Sequence, residues 1–166
     1  MSIYAVDKLM AEARRLAAEY RRVTGKTLPL SGEIAINDAV RLLGLEATTA
    51  SDTGYDALRG AGDTCERFLI KARVVFDAQK GAHRLGELKL DKPWDTLLLV
   101  LMDAAYETIE IYAVAREQVA AALATGNPNS NKKATLSVPR IKIIGTQVWS
   151  RDGLPAGTAA RAADVR

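Results

Sequence analysis

Apolar residues recur every three or four positions from Ile3 to Thr24, and this period predicts a long amphipathic helix. Gly25 follows as a helix stop. The apolar stripe consists of Val6, Leu9, Ala13, Leu16, Tyr20 and Val23. We expect this stripe to be the face of the helix that packs on a sheet.

A second helix is predicted from Gly32 to Leu43, with Ser31 as its N-cap and Gly44 as its stop. Its expected buried side consists of Ile36, Val40 and Leu43. Glu33 lies in the first turn of this helix, where the helix dipole stabilises a negative charge. The polar residues 47–53 predict a loop.

The middle of the chain predicts three or four strands. Residues 54–58 read as a short strand, and residues 59–63 as the turn of a hairpin that returns into a strand at 67–75. The continuous apolar run from Leu97 to Met102 is typical of a central strand that is covered on both faces. Residues 108–114 alternate well enough to predict a further strand.

The last third of the chain predicts two more helices. The first spans residues 116–124. The second is short, with Ser137 as its cap and Pro139 in its first turn. Residues 146–149 are expected to end the fold.

This order of elements predicts an α/β fold in which helices flank a sheet of about four strands. At 166 residues we expect one domain, over residues 1–150, followed by a disordered tail at 151–166. The longest apolar run is far shorter than the ~20 residues that span a bilayer. The first residues show no secretory signal pattern. We therefore expect a cytoplasmic protein with no membrane partner.

The amino-acid composition limits which catalytic and metal-binding groups the chain can use. The chain has one cysteine, Cys65, and one histidine, His83. A single cysteine excludes an internal disulfide and a cysteine-based zinc site, and a single histidine excludes paired-histidine cleavage. Any catalysis must therefore depend on carboxylate, lysine, arginine or hydroxyl groups.

The formal net charge is +3, but the charge is unevenly spread. The segment from 118 to 151 contains no acidic residue, and its basic residues are Lys132, Lys133, Arg140, Lys142 and Arg151. Such a segment is compatible with a polyanion partner, and it is also common on ordinary protein surfaces.

The predicted strand at 67–75 has a lysine at its centre. Because side chains alternate along a strand, one side is apolar and the other holds Arg67, Leu69, Lys71 and Arg73. A buried lysine needs a partner, and Asp56 on the preceding short strand is a natural one. This arrangement is used to hold a metal ion beside a phosphodiester. The alternative is a half-buried Lys71 whose ammonium group reaches solvent.

Six segments of the chain bear on its family. They are Ser31–Ala35, Arg41–Leu45, Gly54–Ala57, Ile70–Arg73, Trp94–Leu101 and Ile111–Arg116. In this order and spacing they resemble a bacterial family of uncharacterised small proteins, whose members look like the restriction-endonuclease-like, or PD-(D/E)xK, superfamily. The resemblance covers roughly residues 3–150.

The resemblance implies a three-layer core with a mixed sheet between helices. It also implies a site that combines a helix glutamate, an aspartate at a strand end and a Glu/Gln-x-Lys strand. Carried over by position, the resemblance implies Glu33, Asp56 and Lys71 as catalytic residues, and Asp56 and Glu33 as ligands of Mg²⁺. Leu69 occupies the fourth position and cannot bind a metal, while Glu66 faces the other side of the strand.

Three functional interpretations follow. The first is a divalent-metal-dependent nuclease, or a degenerate relative of one, acting on nucleic acid and above all on DNA. The second is a non-catalytic nucleic-acid- or protein-binding module in which Asp56 and Lys71 form an ion pair. The third is a structural homodimer that uses the Leu97–Met102 sheet edge or the first helix. The expected nucleic-acid contacts are Arg73, Lys132, Lys133, Arg140 and Lys142.

Overall fold

The computed structural model describes residues 3–48, 53–76, 84–125 and 135–154. Within these ranges it contains a six-stranded mixed sheet and four α-helices. The strands are β1 (Glu46–Ala47), β2 (Ala57–Arg59), β3 (Glu66–Val74), β4 (Thr96–Met102), β5 (Thr108–Ala115) and β6 (Thr146–Ser150). The helices are α1 (Ile3–Thr24), α2 (Ser31–Leu43), α3 (Arg116–Ala124) and α4 (Val138–Ile144). The α/β class expected from the sequence is confirmed.

The strands lie in the sheet in chain order, from β1 to β6. Only β3 and β4 are parallel neighbours, with Leu69 opposite Leu97, and the other four pairings are antiparallel. The prediction of about four strands is wrong. The two missed strands, β1 and β6, are short edge strands whose extended form depends on the neighbouring strand more than on their own pattern. The short strand expected at 54–58 is displaced and spans Ala57–Arg59.

Two hydrophobic clusters lie on opposite faces of the sheet. One face packs against α1 and α2 through residues such as Ile34, Phe68 and Val100. The other packs against α3 and α4 through residues such as Leu99 and Ile141. The prediction of a central strand covered on both faces is confirmed by β4, which is buried from Leu97 to Met102. Because β4 lies between β3 and β5, the expectation that this segment is a sheet edge is wrong.

Helix α1 has the predicted bounds but not the predicted orientation. Its large apolar side chains face outward, with Leu9 51%, Leu16 58% and Val23 68% exposed. The expectation that this stripe packs on the sheet is therefore wrong. The packed face instead contains Ala17, which is fully buried, next to Arg14. The Arg14 guanidinium binds Asp38 of α2, so a polar contact and small side chains set the rotation of the helix.

Helix α2 begins one residue before its predicted start. Ser31 lies inside the helix, and Leu30 occupies the N-cap position without a side-chain hydrogen bond, so the predicted Ser31 cap is wrong. The stop is confirmed, since Gly44 adopts a left-handed conformation with φ 65°. The buried residues are Ile34, Ala35, Asp38 and Ala39, while the predicted ones, Ile36, Val40 and Leu43, are only half-buried.

The later elements agree with the sequence pattern. Helix α3 has its predicted bounds, and the Ser137 side chain accepts a hydrogen bond from the Arg140 backbone N–H at the start of α4. The segment expected only to end the fold forms β6 instead. Most of the predicted tail, residues 155–166, lies outside the described residues. No helix in the described ranges is long and apolar enough to cross a membrane.

Candidate functional site

A cleft of about 680 Å³ opens beside the start of α2, the residues before β2, the middle of β3 and the segment before β4. Six of the fourteen residues that line it are charged: Glu33, Asp56, Lys71, Glu87, Lys89 and Lys92. The cleft therefore brings together the three residues that the resemblance implies, with Glu87 and two further lysines that were not predicted as site residues.

Asp56 is fixed by its position beside β3. Its backbone N–H donates to the Phe68 carbonyl at 2.8 Å, and its Oδ2 accepts a hydrogen bond from the Ile70 backbone N–H at 2.8 Å. The carboxylate thus continues the hydrogen-bond ladder where β2 has not yet begun. One of its two oxygens is already used in holding the sheet together.

Lys71 and Leu69 share the cleft side of β3, as alternation along the strand predicts. Lys71 is half-buried, and Glu33 is exposed at the start of α2. In the described part of the chain no ion pair joins Lys71 to Asp56 or to any other carboxylate. The ion pair expected for a non-catalytic module is therefore absent from these residues.

Glu66, the other carboxylate on β3, lies outside the cleft. Its Oε2 accepts a hydrogen bond from Arg59 at 3.0 Å, and its Oε1 accepts one from the Thr96 hydroxyl at 2.8 Å. It lines a smaller cavity of about 320 Å³ that also contains Phe68. Glu66 therefore faces the side of β3 opposite to Leu69, as the alternation along the strand predicts.

The cleft residues fall short of the ligand set that the resemblance implies for Mg²⁺. The described ranges contain no group of three or more His, Cys, Asp or Glu side chains placed to hold a metal ion. Leu69 offers no donor atom, and Asp56 already shares Oδ2 with Ile70. Mg²⁺ prefers about six oxygen ligands in near-octahedral geometry. Two carboxylates of the implied set, Glu33 and Asp56, remain in the cleft, and Mg²⁺ is usually held by one or two carboxylates together with water and substrate phosphate.

Comparison of the sequence with protein-family models and with curated proteins found no match.

The segment before β4 positions Lys89 and Lys92 through its backbone. The Arg116 guanidinium donates to the carbonyls of Lys92 at 2.6 Å and Trp94 at 2.9 Å, and also to that of Leu90. The Trp94 indole N–H donates to the Lys89 carbonyl at 2.8 Å. In the sequence this feature is only two lysines in a stretch without periodicity, because the contacts that order the segment come from distant residues.

The nucleic-acid contacts expected from the sequence lie elsewhere. Arg73 donates twice to the Arg84 carbonyl, at 2.9 and 2.6 Å, and burial lowers the pKa of its guanidinium. Lys142 binds Glu110 at 2.8 Å, and Arg140 is exposed on α4. Lys132 and Lys133 lie outside the described residues. Arg73, Arg140 and Lys142 do not line the cleft.

Proposed function

We propose that this protein binds nucleic acid, and DNA in particular, in the cleft of a three-layer restriction-endonuclease-like core, with phosphodiester hydrolysis weak or lost. One observation carries the proposal: Glu33, Asp56 and Lys71 line a single cleft, in which Leu69 takes the place of the fourth residue. This is the arrangement expected when a nuclease scaffold keeps its substrate cleft and loses a ligand.

We expect hydrolysis to be weak or lost because the cleft lacks an oxygen ligand for the metal ion at position 69. A glutamate or glutamine at position 69 would contribute an oxygen, whereas Leu69 contributes only apolar bulk. Asp56 Oδ2 accepts a hydrogen bond from the Ile70 N–H, so Oδ1 is the oxygen of this carboxylate that is more open to a metal ion. Glu87 also lines the cleft, but the described residues contain no group of three or more His, Cys, Asp or Glu side chains placed to hold a metal ion.

We expect binding of nucleic acid to be retained because three lysine side chains line the cleft. Lys71, Lys89 and Lys92 line the same cleft, and lysine is a common phosphate-binding residue. Contacts between lysine and phosphate do not require a bound metal ion. They provide affinity without sequence preference and make that affinity strongly dependent on salt.

An active divalent-metal-dependent nuclease is the second candidate. The observation that favours it is the presence of both carboxylates, Glu33 and Asp56, in the cleft that holds Lys71. The two candidates differ in the role of Glu33. In a nuclease its removal abolishes cleavage, whereas in a binding module its removal takes a negative charge away from a phosphate site and raises the affinity.

The test measures cleavage and binding with the same proteins. Wild type, Asp56→Ala, Glu33→Gln and Leu69→Gln are incubated with plasmid, linear and single-stranded DNA and with RNA, in Mg²⁺ and separately in Mn²⁺. We expect no cleavage by wild type and a gain of cleavage in Leu69→Gln. Cleavage by wild type that is lost in Asp56→Ala would replace our proposal with the nuclease.

The binding arm uses a labelled DNA strand at 50 and 200 mM salt. We expect wild-type affinity to fall by more than about tenfold between the two salt concentrations, because several phosphate contacts are lost together. Glu33→Gln should bind more tightly than wild type. Absence of binding at both salt concentrations would overturn the proposed function.

A further inference from the structure

We propose that Lys71, Lys89 and Lys92 form the phosphate-binding site of the cleft, and that Arg116 and Gly54 hold the Lys89–Trp94 turn in its binding conformation. The inference deepens the proposed function and rests on it. It moves the expected phosphate contacts away from the basic segment 132–142 and onto a turn that the sequence marks only weakly. The ligand is the phosphodiester backbone of a nucleic acid strand.

The ammonium groups of the three cleft lysines are not paired with any carboxylate of the described residues. Over the described ranges, the side chains of Lys71, Lys89 and Lys92 take part in no ion pair or hydrogen bond. Several other cations are already used, in the ion pairs Arg59–Glu66, Arg67–Asp95, Lys142–Glu110 and Arg151–Asp103. Within the described part of the chain, the ammonium groups of the three lysines are therefore unpaired before a phosphate enters the cleft, which also contains the carboxylates of Glu33, Asp56 and Glu87.

Hydrogen bonds from Arg116 and Trp94 hold the backbone of the Lys89–Trp94 turn. Arg116 donates to three carbonyls of residues 90–94 and stacks its guanidinium 5.0 Å from the centre of the Trp94 ring. Trp94 itself is only 1% exposed, and its indole N–H fixes Lys89. A lysine side chain is flexible, but here its backbone is held before the ligand arrives. Preorganisation of this kind improves affinity because less motion is lost on binding.

Gly54 packs closely against the side chain of Lys92. Gly54 has φ +84°, and a Cβ added there would lie 2.8 Å from Lys92 Cβ and 3.0 Å from Lys92 Cδ. The stem of Lys92 therefore lies directly against the Gly54 backbone, and both residues line the cleft. Any larger residue at position 54 must push Lys92 away. Gly54 is a positioning residue for Lys92.

The first experiment measures the salt dependence of binding to a labelled DNA strand. The variant Lys89→Gln/Lys92→Gln should bind more weakly, with a salt slope smaller by about 1.4–1.8, because two phosphate contacts are lost. The control Lys8→Gln/Lys26→Gln removes the same charge from exposed positions outside the cleft and should leave the slope unchanged. Equal slopes in the cleft variant and the wild type would overturn the inference.

The second experiment tests positioning with a matched pair of glycines. Gly54 and Gly62 both have positive φ, +84° and +60°, but a Cβ at Gly62 meets nothing within 4 Å. Both alanine variants therefore introduce the same kind of backbone strain, and only Gly54→Ala displaces Lys92. We expect Gly54→Ala to weaken DNA binding and Gly62→Ala to leave it unchanged. Equal effects of the two variants would contradict the positioning role.

A double-variant measurement separates positioning from general damage. In a Lys92→Gln background, Gly54→Ala should cause little further loss of affinity, because the side chain that it displaces no longer carries charge. Full additivity would assign the effect of Gly54→Ala to altered folding and overturn the role of Gly54. Inorganic phosphate added as a competitor should weaken DNA binding by wild type more than binding by Lys89→Gln/Lys92→Gln.

The outcomes distinguish this inference from the proposed function. If wild type binds DNA and the cleft variant binds equally well, the protein is a nucleic-acid-binding protein whose contacts lie elsewhere. A large loss in Arg140→Gln/Lys142→Gln would then place them on the basic segment. If wild type does not bind DNA or RNA, the proposed function and the phosphate site fall together.

Discussion

Two regions of this protein, the α1–α2 contact and the cleft, differ in how their charged side chains are paired. At the α1–α2 contact, Asp38 is fully buried and accepts hydrogen bonds from Arg14 at 2.5 and 3.1 Å and from the Thr108 hydroxyl at 2.6 Å. Arg14 also donates to the Tyr106 carbonyl at 2.7 Å. In the cleft, the ammonium group of Lys71 has no such partner among the described residues.

The difference follows from the cost of removing a charge from water. A buried carboxylate must be paired and hydrogen-bonded or the fold loses several kcal/mol, so the Arg14–Asp38 network has to be complete before any ligand is present. The cleft is open to solvent, and its lysines remain hydrated when nothing is bound. The first region therefore maintains the fold, and the second keeps its cations available for a ligand.

The largest effect is expected at Asp38. Asp38→Ala leaves the Arg14 guanidinium, whose side chain is 11% exposed, without its buried partner, and should cost about 3–5 kcal/mol of unfolding free energy. Denaturant unfolding followed by circular dichroism measures it. The control, Glu19→Ala, removes the exposed Glu19–Arg22 pair and should cause no measurable loss. A similar small loss in both variants would show that the network is not needed for the fold.

A pair of intermediate exposure should show an intermediate effect with a defined pH dependence. Arg67 donates to both carboxylate oxygens of Asp95, at 2.9 and 3.1 Å, and these hydrogen bonds lower the pKa of Asp95 in the folded state. The contribution of the pair is therefore present above the unfolded-state pKa of about 3.9 and disappears as the pH falls through the lowered folded-state value.

The corresponding variant is Asp95→Asn. At pH 7 it should lose less than about one third of what Asp38→Ala loses, because both side chains of the pair are more than a third exposed. The difference from wild type should shrink as unfolding is repeated at pH 5, 4 and 3. A difference that stays constant over this range would mean that the hydrogen bonds do not depend on the carboxylate charge.

In contrast to the Asp38 variant, a charge-removing variant in the cleft should weaken DNA binding and leave the stability of the fold nearly unchanged. Lys71→Gln should change the unfolding free energy by no more than about 0.5 kcal/mol, because no partner is left unpaired. The same variant should bind labelled DNA several-fold more weakly at 100 mM salt. A loss of stability above about 1 kcal/mol would show that Lys71 belongs with the structural charges and would remove the contrast between the two regions.

The sequence predicted those parts of the fold that depend on local pattern. The run from Leu97 to Met102 is long enough to identify a central strand, and Gly25 and Gly44 mark the ends of α1 and α2. The strand β1 was not predictable, since its two residues form a strand only because they pair with β2. Pairing between distant residues leaves no periodic signal in a short segment.

In the candidate site, too, only the residues in or beside segments with a clear local pattern could be predicted. Lys71 was identified because β3 has a recognisable pattern, and Asp56 because it closely precedes that strand in the chain; the structure brings both into one cleft with Glu33. Lys89 and Lys92 were missed because their turn is ordered by Arg116, more than twenty residues away in the chain. A side chain that acts through backbone carbonyls cannot be paired with them from the sequence alone.

Helix α1 shows most clearly how a correct pattern led to a wrong orientation, and it provides the smallest expected effect. Leu16 is 58% exposed, so Leu16→Ser should change the unfolding free energy by no more than about 0.5 kcal/mol. Met10→Ala, at a half-buried position that packs on the core, is the comparison and should cost more. A loss above about 1 kcal/mol in Leu16→Ser, together with a change in sedimentation, would mean that a second copy covers this face. The homodimer predicted through the first helix would then be correct, and the exposed stripe would be an interface that the single chain leaves open.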